Sequence, residues 1–291
     1  MIGQIVIGRR GLLLSAGAGL LAAACSPRAE PSAGERIIAV SGDVTEIVYA
    51  LGLAPQLIAV DDTSSYPAAV EALPHVGYFR QLAAEGILSL GPTTLVAGGD
   101  AGPASALTQI EQAGVRVVTV PPARSAADVA ANLRLVGEAF GRQTEADAAV
   151  ATLERDWAAA ETEIATLPGR PRVLFLLTAG AGSPMAGGRD TAADAIIRLA
   201  GGDNAGADHE GYKPVSTEAL VAGAPEIILM MSHALDSAGG AARVAALPAI
   251  ALTPAGREGR ILALDPLLHL GFGPRLPQAA RELAQLIRTP A

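Results

Sequence analysis

The sequence is short of aromatic side chains, has almost no cysteine, and carries a single lysine. Phe, Trp and Tyr together make up 3% of its 291 residues, although half of all residues are hydrophobic. A sizeable core must therefore be built from Ala, Leu, Val and Ile, and each of the four tyrosines stands out where it falls in a loop. The one cysteine, Cys25, excludes an intramolecular disulfide and a cysteine-rich metal site. Basic residues are outnumbered 21 to 29, a net charge of −8, and 20 of the 21 are Arg, which leaves Lys213 as the only lysine. Such a chain has no general positive field to hold nucleic acid. An anionic ligand must be met by a few placed arginines. No apolar run reaches the length of an ordinary membrane span. Enzyme signatures are missing too: there is no Gly-x-Ser-x-Gly elbow and no phosphate-binding loop. Gly180-Ala181-Gly182-Ser183-Pro184 follows a strand, but Pro184 and the absent third glycine break a dinucleotide fingerprint.

What is present begins with an export signal. Arg9-Arg10 leads into the apolar run from Gly11 to Ala24, so residues 1–24 read as a signal peptide. Its removal takes away two Arg and no acids, leaving 19 basic and 29 acidic residues, net −10. Leu21-Ala22-Ala23-Ala24-Cys25 resembles a bacterial lipobox, with Ala22 where leucine is preferred. Lipidation at Cys25 and ordinary cleavage nearby both stay open. The Arg9-Arg10 pair resembles a twin-arginine signal, so either export route fits. Residues 25–35, rich in Pro, Ser, Ala and Gly, read as a tether.

From Arg36 onward, apolar strands alternate with helices. Strands are predicted over 36–40, 56–60, 94–97 and 115–120, with helices over 43–51, 85–90 and 104–113. That alternation predicts a parallel sheet covered on both faces. A helical stretch follows over 126–167, and its last 24 residues, from Thr144, contain no Gly or Pro. They would span about 36 Å at 1.5 Å per residue. After Pro168-Gly169-Arg170-Pro171, strands over 172–178, 226–231 and 260–265 and a helix over 277–287 form a second series.

The second series repeats the first. Glu85 precedes Pro92 by seven residues, Glu218 precedes Pro225 by seven, and an apolar strand follows each proline. Gly77-Tyr78 and Gly211-Tyr212 lie just ahead of these two glutamates. Asp43–Leu51 is echoed by Asp190–Leu199 as the first helix after a strand. The predicted fold class is α/β: two similar Rossmann-like lobes, 36–141 and 171–291, joined by one long helix within 142–170. A ligand cleft is expected between the lobes, outside the carboxyl ends of the strands.

This layout, the export signal and the paired glutamate helices resemble the helical-backbone class of ABC-transporter periplasmic binding proteins, which carries siderophores, cobalamin and heme. Within that class, Gly77-Tyr78-x-Arg80-x-Leu82 running into Ala84–Leu90 is similar to the hemin-binding (HmuT-type) branch. So are Gly211-Tyr212-Lys213-Pro214, Ala251–Arg257 and Leu270-Gly271-Phe272-Gly273-Pro274-Arg275. The resemblance covers nearly all of 36–288. It implies a monomeric, non-enzymatic binding protein that takes up ferric heme and delivers it to an inner-membrane permease with its ATPase. It further implies that Tyr78 supplies the axial oxygen to the iron, and that Glu85 and Glu218 dock the lobes on basic permease residues. Relatives commonly carry Arg after the 226–231 strand. Here the segment reads Ser232-His233-Ala234-Leu235, which puts His233 in that place. An iron–siderophore or cobalamin carrier of the same fold is the alternative.

The residue chemistry is compatible with that implication. Ferric iron is a hard Lewis acid and phenolate is among the axial ligands of heme. A free tyrosine titrates near 10, so a phenolate ligand needs the iron's charge and a neighbouring cation. Arg80, two residues from Tyr78, could serve there or pair with a heme propionate. His233, Tyr212 and Lys213 are candidate cleft contacts, and Arg275 reads as structural. His75, His209 and His269 are scattered without metal-ligand spacing, which argues against a zinc carrier.

Overall fold

The structure, a computed structural model, describes residues 34–180 and 183–289. The expected signal peptide (1–24), Cys25 and most of the tether lie outside the described residues. The first half runs β1 (Ile37–Val40), α1 (Gly42–Ala50), β2 (Leu57–Val60), α2 (Ala84–Ser89), β3 (Thr94–Gly98), α3 (Ala104–Gln112) and β4 (Arg116–Val120). Its four strands pair in the order β2-β1-β3-β4, all parallel. Side chains alternate across a strand, and here each face meets a different core. Ile37 and Ala39 join one apolar cluster; Ile38 and Val40 join another with Leu95, Ala97, Ile87 and Ile110. A sheet buried on both faces explains why its strands read as unbroken apolar runs.

Two helices follow, α4 (Ala126–Ala139) and α5 (Gln143–Thr166). The helical stretch expected over 126–167 divides at Gly141, which takes φ +64° and turns the chain ahead of the long helix read within 142–170. The helices approach closely enough that a Cβ on Gly137 would lie 2.5 Å from Ala146 Cβ. On α5 the buried residues Ala146, Val150, Leu153, Ala160 and Ile164 recur at helical spacing and form one stripe.

The second half contains β5 (Arg172–Thr178), β6 (Met185–Gly187), α6 (Ala192–Leu199), β7 (Asp203–Asn204), β8 (Tyr212–Pro214), α7 (Thr217–Gly223) and β9 (Ile227–Met231). It continues through α8 (Ser232–Ser237), α9 (Ala241–Ala245), α10 (Pro248–Ala251), α11 (Pro254–Glu258), β10 (Ile261–Leu264), α12 (Pro266–Leu270) and α13 (Leu276–Leu286). Its sheet runs β10-β9-β5-β6-β8, with β7 beside β5. β10, β9, β5 and β7 are parallel, whereas β6 and β8 are antiparallel additions. The all-parallel expectation therefore holds for the first sheet and needs correction in the second. The added strands are three residues long and include Gly187 and Pro214, too short and too irregular for an alternating signal. Tyr212 accordingly opens a strand rather than sitting in a loop, and Ser232–Leu235 begins a helix.

One core runs through both halves. Val173 and Phe175 of β5 and Ile227 and Leu229 of β9 join the same cluster as Ile37, Ala39 and the buried stripe of α5. Leu276, Ala279, Ala280, Leu283 and Ala284 of α13 complete it at i, i+3, i+4, i+7, i+8 spacing. The opposite faces, Leu174 and Leu176 with Ile228 and Met230, have a core of their own. The helical backbone is thus bonded to both sheets through one apolar layer made largely of small aliphatic side chains. Among the described residues no helix is long and apolar enough to cross a membrane.

Candidate ligand site between the lobes

Segments that follow the strands of the two sheets meet. After β10, the turn Gly271–Arg275 brings Arg275 to Glu46 of α1, 229 residues away, in a two-pronged pair of 3.0 and 2.6 Å. The same guanidinium lies 3.7 Å from the centre of the Tyr66 ring, which follows β2. Beside it, a Cβ on Gly42 would come within 2.7 Å of the Thr63 carbonyl oxygen, which is backbone and cannot swing aside, and close to Leu267 of α12, so the position requires glycine. Phe272 accepts a left-handed φ of +56° and is buried. Arg124, just past β4, holds its guanidinium 5.8 Å from the centre of the Phe272 ring.

Acids crowd this junction. Asp61 is fully buried and satisfied: it accepts from the Ser41 and Thr63 amides at 3.0 Å each, and from the Thr63 and Ser64 hydroxyls at 2.6 and 2.7 Å. Ser41 itself sits at φ +94°, a strained backbone position between β1 and α1. Its hydroxyl donates to Asp43. Burial pushes the Asp43 carboxyl above its ordinary pKa, the Ser41 hydroxyl pulling the other way. Glu46 is raised for the same first reason, its pair with Arg275 offsetting part of the cost. For Arg275 burial works against the charge, but the Glu46 carboxylate outweighs it and the guanidinium is held charged.

An acid raised in the folded state stabilises the fold while it stays protonated. That contribution is complete below the ordinary carboxylate range near 4 and is lost as pH rises through the raised folded values. Urea unfolding of wild type and Asp43→Asn from pH 4 to pH 7 should therefore give curves that diverge, the wild type losing more stability on the way up. Parallel curves would show that Asp43 is not held protonated.

On the first lobe, Gly77 adopts φ +88° with open space around its Cα, and Tyr78 follows with its ring half-exposed at 38%. A single 3₁₀ turn, Phe79–Gln81, then carries Arg80 back so that its Nη1 donates to Tyr78 Oη at 3.0 Å. Arg80 Nη2 pairs with Asp100 beyond β3 at 2.8 Å, and the guanidinium stacks 4.6 Å from the Phe79 ring centre. Phe79 is buried and meets the Tyr78 ring edge-on at 5.0 Å. Burial lowers the Arg80 pKa, but the Tyr78 and Asp100 hydrogen bonds more than offset it. The arrangement orients a phenol oxygen against a fixed cation.

The second lobe repeats part of this. Gly211 takes φ +73°, and Tyr212 is again 38% exposed. Its ring rests edge-on against Phe175 at 6.2 Å. Burial raises the Tyr212 pKa, while hydrogen bonds from Thr191 and the Ala193 amide and the charges of Arg124 and Arg80 act in the opposite direction. Lys213, next on the strand, is exposed and pairs through its backbone with Ala186 of β6. His233 is exposed in the first turn of α8, where its carbonyl accepts from Ser237, and no contact brings it to either tyrosine.

The two glutamates occupy matching places. Glu85 is the second residue of α2 and Glu218 the second of α7, both exposed, and each is followed nine residues later by the next strand. Hydrogen bonds from its own amide and the Ser216 hydroxyl hold the Glu218 carboxyl below its ordinary value, so it stays ionised. The other histidines are dispersed: His75 faces Asp62 at 3.4 Å, His209 contacts the Ala186 carbonyl, and His269 is buried. Among the described residues no group of His, Cys, Asp and Glu could hold a metal ion.

The sequence pattern of the family described as "Periplasmic binding protein" matches residues 37–268. The chain belongs to this family. It is of the class of solute-binding components that serve ABC importers, and its homologues are solute-binding proteins rather than enzymes. It is similar to the solved structure of the periplasmic heme-binding protein BhuT in complex with two hemes, with a TM-score of 0.83 and 40% identity over 87% of this chain and 97% of that one. It is 27% identical over 260 residues to the uncharacterized ABC transporter substrate-binding lipoprotein YvrC of Bacillus subtilis, covering 87% of this chain and 80% of that protein. A vitamin B12-binding protein of Vibrio parahaemolyticus is 26% identical over 206 residues, 70% of this chain and 74% of that protein.

Of the site residues read from sequence, the structure joins Tyr78 to Arg80 by a hydrogen bond, sets Tyr212 against Phe175 in the second lobe, and gives His233 and Lys213 no side-chain contact with either group. Arg124, Asp100 and the Glu46–Arg275 pair were not singled out as parts of the site. Arg275 reads from the sequence as structural, and its pair with Glu46 gives it that role. Nothing in local spacing marks Glu46 or Arg124, because both matter through partners more than a hundred residues away.

Proposed function

We propose that this protein captures ferric heme between its lobes, with Tyr78 as the axial oxygen ligand, and delivers it to the permease and ATPase of an inner-membrane ABC importer. The observation that carries the reading is the Arg80 guanidinium donating to the Tyr78 hydroxyl at 3.0 Å on a half-exposed ring. A cation so placed stabilises negative charge on the phenol oxygen once iron displaces its proton, and it suits a hard ferric centre. The likeness to a solved heme-bound protein supports heme as the cargo. Because Arg80 is already engaged by Tyr78 and Asp100, its part is to orient and charge the ligand oxygen rather than to hold a propionate. Visible spectra on adding hemin to the apo protein test the capture step.

The likeness to a vitamin B12-binding protein favours a second reading, cobalamin carried on the same scaffold, with a ferric siderophore as its counterpart. Export by the 1–24 signal and lipid attachment at Cys25 complete the proposal, supported by the lipoprotein description of the Bacillus subtilis relative.

Delivery is assigned to Glu85 and Glu218, two exposed acids at equivalent helix positions, facing basic permease residues. Reversing both (Glu85→Lys with Glu218→Lys) should abolish heme uptake in proteoliposomes holding the importer, while the hemin titration curve stays where it was. Loss of hemin binding instead would show that the two acids maintain the fold.

A further inference from the structure

Three guanidinium groups stand at the junction of the lobes, and two of them are already neutralised. Arg80 is paired with Asp100, and Arg275 with Glu46. Arg124 has no carboxylate on its guanidinium among the described residues. Its Nη1 donates to the neighbouring Ala123 carbonyl at 2.6 Å, and its guanidinium also lies over the face of the neutral Phe272 ring. The backbone around it is fixed. Pro121 and Pro122 precede it, the Pro121 carbonyl accepts from Asn132 at 2.8 Å, and the Arg124 amide donates to Asp128 at 2.9 Å. Asp128 also accepts from Ser125, which caps α4. The side chain is half-buried, and the Phe272 ring it meets belongs to the opposite lobe.

A half-buried cation lying on an aromatic face has lost part of its hydration without gaining a counter-ion. The planar guanidinium fork, with donors to spare, matches a carboxylate in two-pronged geometry. We infer that Arg124 receives a carboxylate of the ligand held between the lobes, so that this residue selects a cargo bearing free acid groups. This inference rests on the heme reading, in which the acid groups are the propionates. Arg80 and Arg275 are left to the tyrosine and to the lobe junction.

The probes are hemin and hemin dimethyl ester, titrated by absorbance against wild type, Arg124→Gln and Arg124→Lys. Wild type should prefer hemin to its ester by about tenfold, the scale of one charge-assisted contact. Arg124→Gln should lose that preference while keeping the ester affinity and the tyrosinate bands of wild type. Arg124→Lys, which keeps the charge without the fork, should retain part of the preference and guards against a folding defect in the glutamine variant. If Arg124→Gln keeps the full preference with unchanged bands, Arg124 does not bind the carboxylate, although heme capture stands. If wild type itself shows no tyrosinate bands with hemin, the heme reading fails and this inference falls with it.

Discussion

Replacing Tyr78 with alanine should weaken hemin binding by roughly a hundredfold, about 2.8 kcal/mol at 1.4 kcal/mol per decade, and remove the tyrosinate bands from the spectrum. The expectation follows from what the substitution deletes. The phenol oxygen is a hard donor on a half-exposed ring, held in place by a cation through the 3.0 Å contact from Arg80. With it gone, Arg80 keeps Asp100 as a partner, so the loop does not lose its order. His233→Ala provides the comparison, because His233 is exposed on α8 with no contact to the site. Its effect should stay within a few-fold. Equal losses in the two variants, read from hemin titrations, would mean that the axial ligand is misassigned.

The largest effect on stability is expected at the junction of the lobes. Arg275→Ala should cost about 3–5 kcal/mol in urea unfolding, because it strands a buried carboxylate. Glu46 is 4% exposed and Arg275 20%, so solvent does little to screen the loss. The cost includes the Tyr66 stacking that goes with the guanidinium. A double variant, Glu46→Leu with Arg275→Met, removes both charges and should recover most of the loss, since breaking a buried pair is far costlier than replacing it with apolar groups. A loss below about 1 kcal/mol for Arg275→Ala would show that water reaches Glu46 in solution.

How far the chain could be read before its structure depended on how local each cause was. The strands β1, β3, β5 and β9 were legible because burial on both faces makes them continuous apolar runs. The matched glutamates were legible because the duplication preserves short spacings, and the two Gly-Tyr steps share a left-handed glycine. The antiparallel strands β6 and β8 were not, since three residues carry no period and their pairing is decided by tertiary contacts. The division of α4 from α5 rests on Gly141, a poor helix former whose positive φ ends the first of the two helices. At the site, Tyr78 with Arg80 could be seen as a two-residue motif. Arg124 could not, because what distinguishes it is the absence of an acid and the presence of Phe272, 148 residues further on. The Gly271–Arg275 turn hid its partner in the same way: its guanidinium answers a carboxylate on the first helix.

The measurement closest to the central claim is the visible spectrum of the wild-type apo protein during stepwise addition of hemin, run beside the same titration with cyanocobalamin. Capture through Tyr78 predicts saturable tyrosinate-type high-spin bands with hemin, and no displacement of bound hemin by an excess of cobalamin. A spectrum that remains that of free hemin throughout, with cobalamin bound instead, would contradict it.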